Sequence, residues 1–257
     1  MNQIGDIDWC TIGQLAKQTF NETHDKNSDL SVKERLHRIK NWFDAIISEI
    51  LNNPLEFQKA CEYVASRNSS KKKLTKIENG VLDEIMQIFF NDINIQKCVE
   101  AHSASSFSAG TYLSGESDLD FNVLVENLDE NDLSQVKTAL IKRGYQYVES
   151  RGAVTDPNIH HVFQKFIQIE KGKKGEKVEI EFKLRNMAPY MKTIHGVHRY
   201  LEKTMTDPVR TIVTWAKFNL NKIGKEDYGA FKAMCYEWAN ANAHSNRKDQ
   251  ELMYPLK

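Results

Sequence analysis

Residues 105–125 read SSFSAGTYLSGESDLDFNVLV. Small residues, among them Gly110 and Gly115, lead to two aspartates, Asp118 and Asp120, at the mouth of an apolar run. Leu119, Phe121, Val123 and Val125 alternate with Asp118, Asp120, Asn122 and Leu124, the period of a strand with one buried face. Side chains two apart on a strand share a face and stand roughly 7 Å apart. That spacing suits a pair of divalent cations about 3.5–4 Å apart. Mg²⁺ favours carboxylate and phosphate oxygens and keeps several waters, so two carboxylates hold it weakly and an incoming triphosphate completes its shell.

The turn before the acids fits the same chemistry. Ser106, Ser108, Gly110, Thr111 and Gly115 are small or hydroxylated, and such a turn offers backbone N–H groups and hydroxyls to phosphate oxygens. A third carboxylate is expected from a neighbouring strand. KVEIEFKL (177–184) supplies candidates: Val178, Ile180 and Phe182 face one way, Glu179 and Glu181 the other. Alone, this segment reads as an amphipathic edge of alternating Glu and Lys; beside Asp118 and Asp120 it builds a three-acid metal site.

Outward from this centre, helices flank a strand-rich core. Apolar residues from Val32 to Ile50 recur at helical spacing, Asn52-Asn53-Pro54 breaks that helix, and a second runs from Pro54 to Ser66. Residues 1–30 are polar and mixed, and 67–73 form a basic connector, either a solvated loop or a contact to a phosphate backbone. An apolar stripe over 74–90 predicts a helix, 101–107 a short strand, 129–143 a helix, and 145–150, 160–170 and 176–184 three strands. Residues 171–175 read as a hairpin turn, usually solvated, with contact to RNA as its sharper reading. From Met187 the pattern is helical to Ala243, with main helices over 208–220 and 227–241 and a polar tail from 244. The expected class is α+β, with an N-terminal helical extension (1–73), a catalytic core (74–186) and a C-terminal helical domain (187–257).

Bulk composition narrows the partners. Lys plus Arg (35) equals Asp plus Glu (35), so the chain as a whole does not attract polyanions and any phosphate site must be local. The four cysteines, Cys10, Cys61, Cys98 and Cys235, are scattered and predict free thiols rather than a zinc site or disulfides. His160 and His161 point to opposite faces of a strand and cannot chelate one metal together. Trp42 and Phe43 read as core. The opening residues lack a basic, apolar leader pattern, and no window nears the roughly 18 apolar residues of a membrane span. The expectation is an intracellular, cytoplasmic protein without a membrane partner.

The 105–125 segment resembles the signature of the nucleotidyltransferase superfamily that includes DNA polymerase β: Gly-Ser, a short turn with a further glycine, then Asp-x-Asp opening a strand. The spacing Ser106…Gly110-Thr111…Ser117-Asp118-Leu119-Asp120 looks most like oligoadenylate synthases and terminal nucleotidyltransferases. The helix over 74–90 resembles the spine helix of that branch. VRTIVTWAK (209–217) resembles the Trp-Ala-Lys helix of poly(A) polymerases and terminal uridylyltransferases, and DYGAF (227–231) stands where that group closes over the base. The resemblance covers roughly 74–243.

It implies a mixed sheet flanked by helices, followed by a helical domain. It implies that Asp118 and Asp120 are metal ligands and catalytic, with Glu179 the best match to the third and Glu181 its rival. It gives phosphate or nucleotide contacts to Ser105, Ser106, Gly110, Thr111, Ser117 and Lys217, and base stacking to Tyr228. It implies Mg²⁺ or Mn²⁺ as cofactor and an NTP as substrate. Two positions depart from the family: Ser105 replaces a glycine, and the third acid is Glu rather than Asp. Three functions follow: transfer of a nucleotide to an RNA 3′ end, synthesis of oligonucleotide or cyclic messengers, and a catalytically silent domain that acts as a binding partner. Residues 1–73 are either a packing extension or a surface for a protein partner.

Overall fold

The structure, a computed structural model, describes residues 7–25, 29–67, 71–92, 98–114, 116–126, 128–148, 161–168, 175–184 and 188–244. Gly115, His160, the hairpin tip at 171–174 and the tail from 245 lie outside the described residues.

Asp8 opens α1 (Trp9–His24) by accepting from the N–H groups of Cys10 and Thr11. This helix buries Ile12, Gly13, Ala16 and Thr23, a face too small to give 1–30 an apolar stripe. A capping box of Ser31 and Glu34 starts α2 (Val32–Leu51), and Asn53 with Pro54 starts α3 (Pro54–Ser66). α4 (Lys71–Gln87) begins before the apolar stripe does, so Lys71–Lys73 are its first turn and not a connector; lysine is a good helix former. A π-helical turn, Ile88–Asp92, ends it. β1 (Cys98–Ala104) stops earlier than predicted, because the chain coils at once into α5 (Ser105–Ser108). Then come β2 (Leu119–Val125), α6 (Glu130–Lys142), β3 (Gln146–Val148), β4 (His161–Ile167) and β5 (Glu176–Leu184). Three helices close the described chain: α7 (Ala188–Thr204), α8 (Asp207–Ile223) and α9 (Lys225–His244).

The chain divides into two units: Met1–Arg67 with Gly196–Lys257, and Asn68–His195. α1, α2, α3, α8 and α9, with α7 from Gly196 onward, therefore belong to one unit, although the sequence reading sets the N-terminal and C-terminal helices apart. Among the described residues no helix is long and apolar enough to cross a membrane.

The helical unit packs α1, α2 and α3 against α8 and α9. Phe43 is buried, as the sequence suggests, and stacks on Phe231 and Trp238 with ring centroids 5.4 and 5.0 Å away. The buried carboxylate of Glu56 ties three helices together: its Oε1 accepts from Trp215 Nε1 at 2.7 Å and from Trp9 Nε1 at 3.2 Å.

The other unit carries a five-stranded mixed sheet in the order β1-β2-β5-β4-β3. β2 and β5 run parallel; the other neighbours are antiparallel. Leu119, Phe121, Val123, Val178, Ile180, Phe182 and Phe163 project into one core with Ile85 and Phe89 of the α4 region and Val136 and Leu140 of α6. Helices thus seal one face of the sheet, which leaves the opposite parity free for polar residues.

A stability prediction follows from Glu56. Glu56→Ala strands two partly buried indole N–H groups, each costing about 1–3 kcal/mol. Urea unfolding followed by tryptophan fluorescence should show a loss of about 3 kcal/mol in the helical unit. Glu56→Gln keeps an oxygen acceptor and should lose less than half of that.

Candidate active site

The site rests on the register between β2 and β5. Leu119 pairs with Val178, Phe121 with Ile180 and Val123 with Phe182, so the two apolar parities coincide on the core side. The other parity follows of necessity: Asp120 pairs with Glu179 and Asn122 with Glu181. Paired residues on neighbouring strands share a face, with backbones about 4.8 Å apart. Asp118 lies one residue before β2, on the parity of Asp120. Glu179 is therefore the glutamate that stands level with Asp120, and Glu181 lies one pair further along.

A basic residue sits among these acids. The Lys177 ammonium donates to Asp118 Oδ2 at 2.7 Å and lies 3.3 Å from Glu179 Oε2. From β4, Gln164 Nε2 donates to the same Glu179 oxygen at 2.6 Å. Burial opposes the Lys177 charge, but the hydrogen bond to Asp118 and the charges of Asp118 and Glu179 outweigh it and raise its pKa above the ordinary lysine value. The Asp118 and Glu179 side chains remain 38% and 24% exposed, so solvent and solutes reach them. Among the described residues no group of three His, Cys, Asp or Glu side chains is arranged to hold a metal ion.

The loop ahead of Asp118 is fixed from both ends. Gly110 takes a left-handed φ of 72° after α5, and the Thr111 N–H donates to the Ser106 carbonyl at 2.9 Å. Ser117 closes the next turn: its hydroxyl accepts from the Leu113 N–H at 3.1 Å, and its N–H donates to the Leu113 carbonyl at 2.8 Å. Ser106 and Thr111 are buried. Because β5 runs parallel to β2, its first residue lies at the sheet end where this loop arrives. That residue, Glu176, is only 2% exposed and accepts hydrogen bonds from the Tyr112 and Ser114 hydroxyls. Burial first, then Glu176, then the charges of Asp118 and Asp120 push the Tyr112 pKa well above its ordinary value.

Three further predicted site residues lie in helices. Ser105 begins α5, and its side chain lies outside the described residues. Lys217 is on α8 and Tyr228 on α9, both in the helical unit. His161 faces Tyr147, with the phenol oxygen 3.0 Å from its Nδ1.

Sequence reasoning missed Lys177, Gln164, Tyr112, Ser114 and Glu176. Two signals were available. Lys177 shares the parity of Glu179. Glu176 continues the parity of Val178 and Ile180, so it is an acid in core register, which requires hydrogen-bond donors nearby.

No protein family and no curated protein matches the chain by sequence. Among solved structures, similarity is found to the conserved protein GrpB from Enterococcus faecalis (15% identity, TM-score 0.48, covering 69% of this chain and 97% of that one). It is also found to the Cid1 poly(U) polymerase bound to MgGTP (16%, TM-score 0.37, 58% and 46%). A third is the small alarmone synthetase 1 of Bacillus subtilis bound to its product pppGpp (14%, TM-score 0.34, 58% and 88%). At TM-scores below 0.5 these likenesses do not by themselves define a relationship.

The raised tyrosine pKa values give a test of the sheet. Tyr112, and Tyr145 beside Glu84, are both held neutral by burial and a neighbouring carboxylate. A group whose pKa is raised on folding contributes stability that is complete below its unfolded pKa and is lost above it. The protein should therefore lose stability as pH climbs past about 10. In an absorbance titration at constant temperature, exposed tyrosines should ionise first, and Tyr112 and Tyr145 only as the sheet unfolds. Tyr112→Phe should remove one tyrosine from the late phase and leave the early phase unchanged.

Proposed function

We propose that this chain is a nucleotidyltransferase that moves a nucleoside monophosphate from an NTP to a hydroxyl acceptor, with an RNA 3′ end as the acceptor. One observation carries the reading. The Asp-x-Asp motif opens a strand whose parallel neighbour brings Glu179 level with Asp120, with the glycine-containing loop at the same end of the sheet.

Asp118, Asp120 and Glu179 carry hard oxygen donors of the kind Mg²⁺ and Mn²⁺ prefer, but their side chains do not converge on one point while Lys177 sits on Asp118 and Glu179, so they would hold such an ion only once that ammonium withdraws. When bound, such an ion lowers the pKa of the acceptor hydroxyl and neutralises the departing pyrophosphate. The chain's own residues do the rest. The backbone of 106–114 with Ser117 cradles the triphosphate, held by Glu176 through Tyr112 and Ser114. The acceptor oxygen forms a bond to the α-phosphorus while the bond to the oxygen bridging to the β-phosphate breaks and pyrophosphate leaves. Asp120 or Glu179 takes the hydroxyl proton. The sequence resemblance further assigns Lys217 to the triphosphate and Tyr228 to the base.

A second reading draws on Lys177. Its contacts to Asp118 and Glu179 satisfy two of the acids without any metal, as a catalytically silent binding domain would.

Incubation of the pure protein with each labelled NTP, Mg²⁺ or Mn²⁺, and with or without RNA separates these readings. The proposal predicts label on the RNA 3′ end and at least a 1,000-fold loss in Asp118→Asn/Asp120→Asn. Label in small products without extension of RNA identifies a messenger synthase instead. No incorporation under any condition supports the silent domain.

A further inference from the structure

We infer that the Lys177 ammonium is a resident counter-cation of the acidic site, held between Asp118 and Glu179 until a divalent cation displaces it. The inference rests on the nucleotidyltransferase reading and concerns what that site contains before substrate arrives.

Geometry makes the arrangement hard to avoid. Lys177 lies two residues before Glu179 on the same parity, and Asp118 and Lys177 each stand one residue before the first pair of the ladder, Leu119 with Val178, where their side chains meet. One ammonium therefore meets both carboxylates, at 2.7 and 3.3 Å. The parity it shares carries Asp118, Asp120, Glu179, Glu181 and, further along, Glu100, with Lys183, His102, Asn122, Gln164 and Gln146 among its other polar members. Without a cation these carboxylates repel one another across a few ångströms.

A divalent cation needs the same lone pairs. Lys177 occupies Asp118 Oδ2 and approaches Glu179 Oε2, and it carries a like charge, so the ammonium and the metal exclude each other from that position. The lysine stem has four rotatable carbons and its side chain is 24% exposed, so the ammonium has room to withdraw. Metal affinity in the free protein is then weak, because each metal bound means one ammonium displaced. A triphosphate adds negative charge beside the site and shifts the exchange towards the metal. Lys177 is thus a positioning residue that sets the order of arrival: metal with nucleotide rather than ahead of it.

The test compares wild type, Lys177→Met, Lys177→Arg and Asp118→Asn/Asp120→Asn as full chains. Mn²⁺ binding is measured without nucleotide by electron paramagnetic resonance of the free ion, alongside thermal unfolding in chelator and in Mn²⁺. Lys177→Met should bind Mn²⁺ about tenfold more tightly than wild type, equivalent to about 1.4 kcal/mol. It should also melt lower than wild type in chelator and gain more from Mn²⁺. Lys177→Arg, which keeps the charge, should bind as weakly as wild type. Lys177→Gln serves as a second neutral variant should the methionine fold poorly. If the neutral variants bind Mn²⁺ no more tightly than wild type, while the double aspartate variant loses binding, the Lys177 inference is wrong and the site reading survives. If no variant shows Mn²⁺ binding that depends on Asp118 and Asp120, with or without a non-hydrolysable ATP analogue, both are wrong.

Discussion

The parallel pairing of β2 with β5 is the constraint from which the rest of this unit follows. Strand side chains alternate with period two, so once Leu119, Phe121 and Val123 are matched to Val178, Ile180 and Phe182 the position of every acid is fixed. A slip of β5 by one residue would turn Glu179 towards α4 and α6 and take Val178, Ile180 and Phe182 out of the core. The hydrophobic effect acts on the apolar parity, and the acidic site is its consequence on the other face. Parallel direction matters as much as register. It brings the start of β5 to the end of the sheet where the loop between α5 and β2 arrives, and so lets Glu176 hold Tyr112 and Ser114.

The same register concentrates negative charge, and the site contains its own relief. Lys177 bridges Asp118 and Glu179, while Gln164 takes up part of the Glu179 lone-pair capacity. An unpaired carboxylate this close to others is costly, whereas a paired one is tolerated at little cost to stability. The arrangement stabilises the acids in the free protein without committing them to it, since their side chains remain open to solvent. A lysine at this point lets a stable fold carry several carboxylates on one solvent-open face.

Much of this was legible in the sequence where the signal was local. Alternation marked β2 and β5, Ser31 and Pro54 marked helix starts, and Asp118 and Asp120 announced themselves at the mouth of a strand. What was missed depended on partners distant in the chain or on weak local patterns. α1 buries small residues and so shows no stripe. The three lysines at 71–73 look like a loop until the helix that follows gives them a turn to join. Whether Glu179 or Glu181 stands level with Asp120 is a question of register between segments some sixty residues apart, and no spacing within either segment decides it. Lys177 reads as solvent-facing alternation until Asp118 is known to lie opposite. Glu176 was the most recoverable omission, an acid in core parity whose burial demands donors.

The central claim is that one face, built by the β2–β5 register, holds a divalent cation and a nucleoside triphosphate together. The most direct measurement is anomalous diffraction from crystals of the protein grown with Mn²⁺ and a non-hydrolysable NTP analogue. The account predicts a manganese peak within about 2.5 Å of oxygens from Asp118, Asp120 and Glu179, with the triphosphate against residues 106–117 and Lys177 turned away. A triphosphate bound elsewhere, or Lys177 still seated between Asp118 and Glu179 with no manganese beside them, would contradict it.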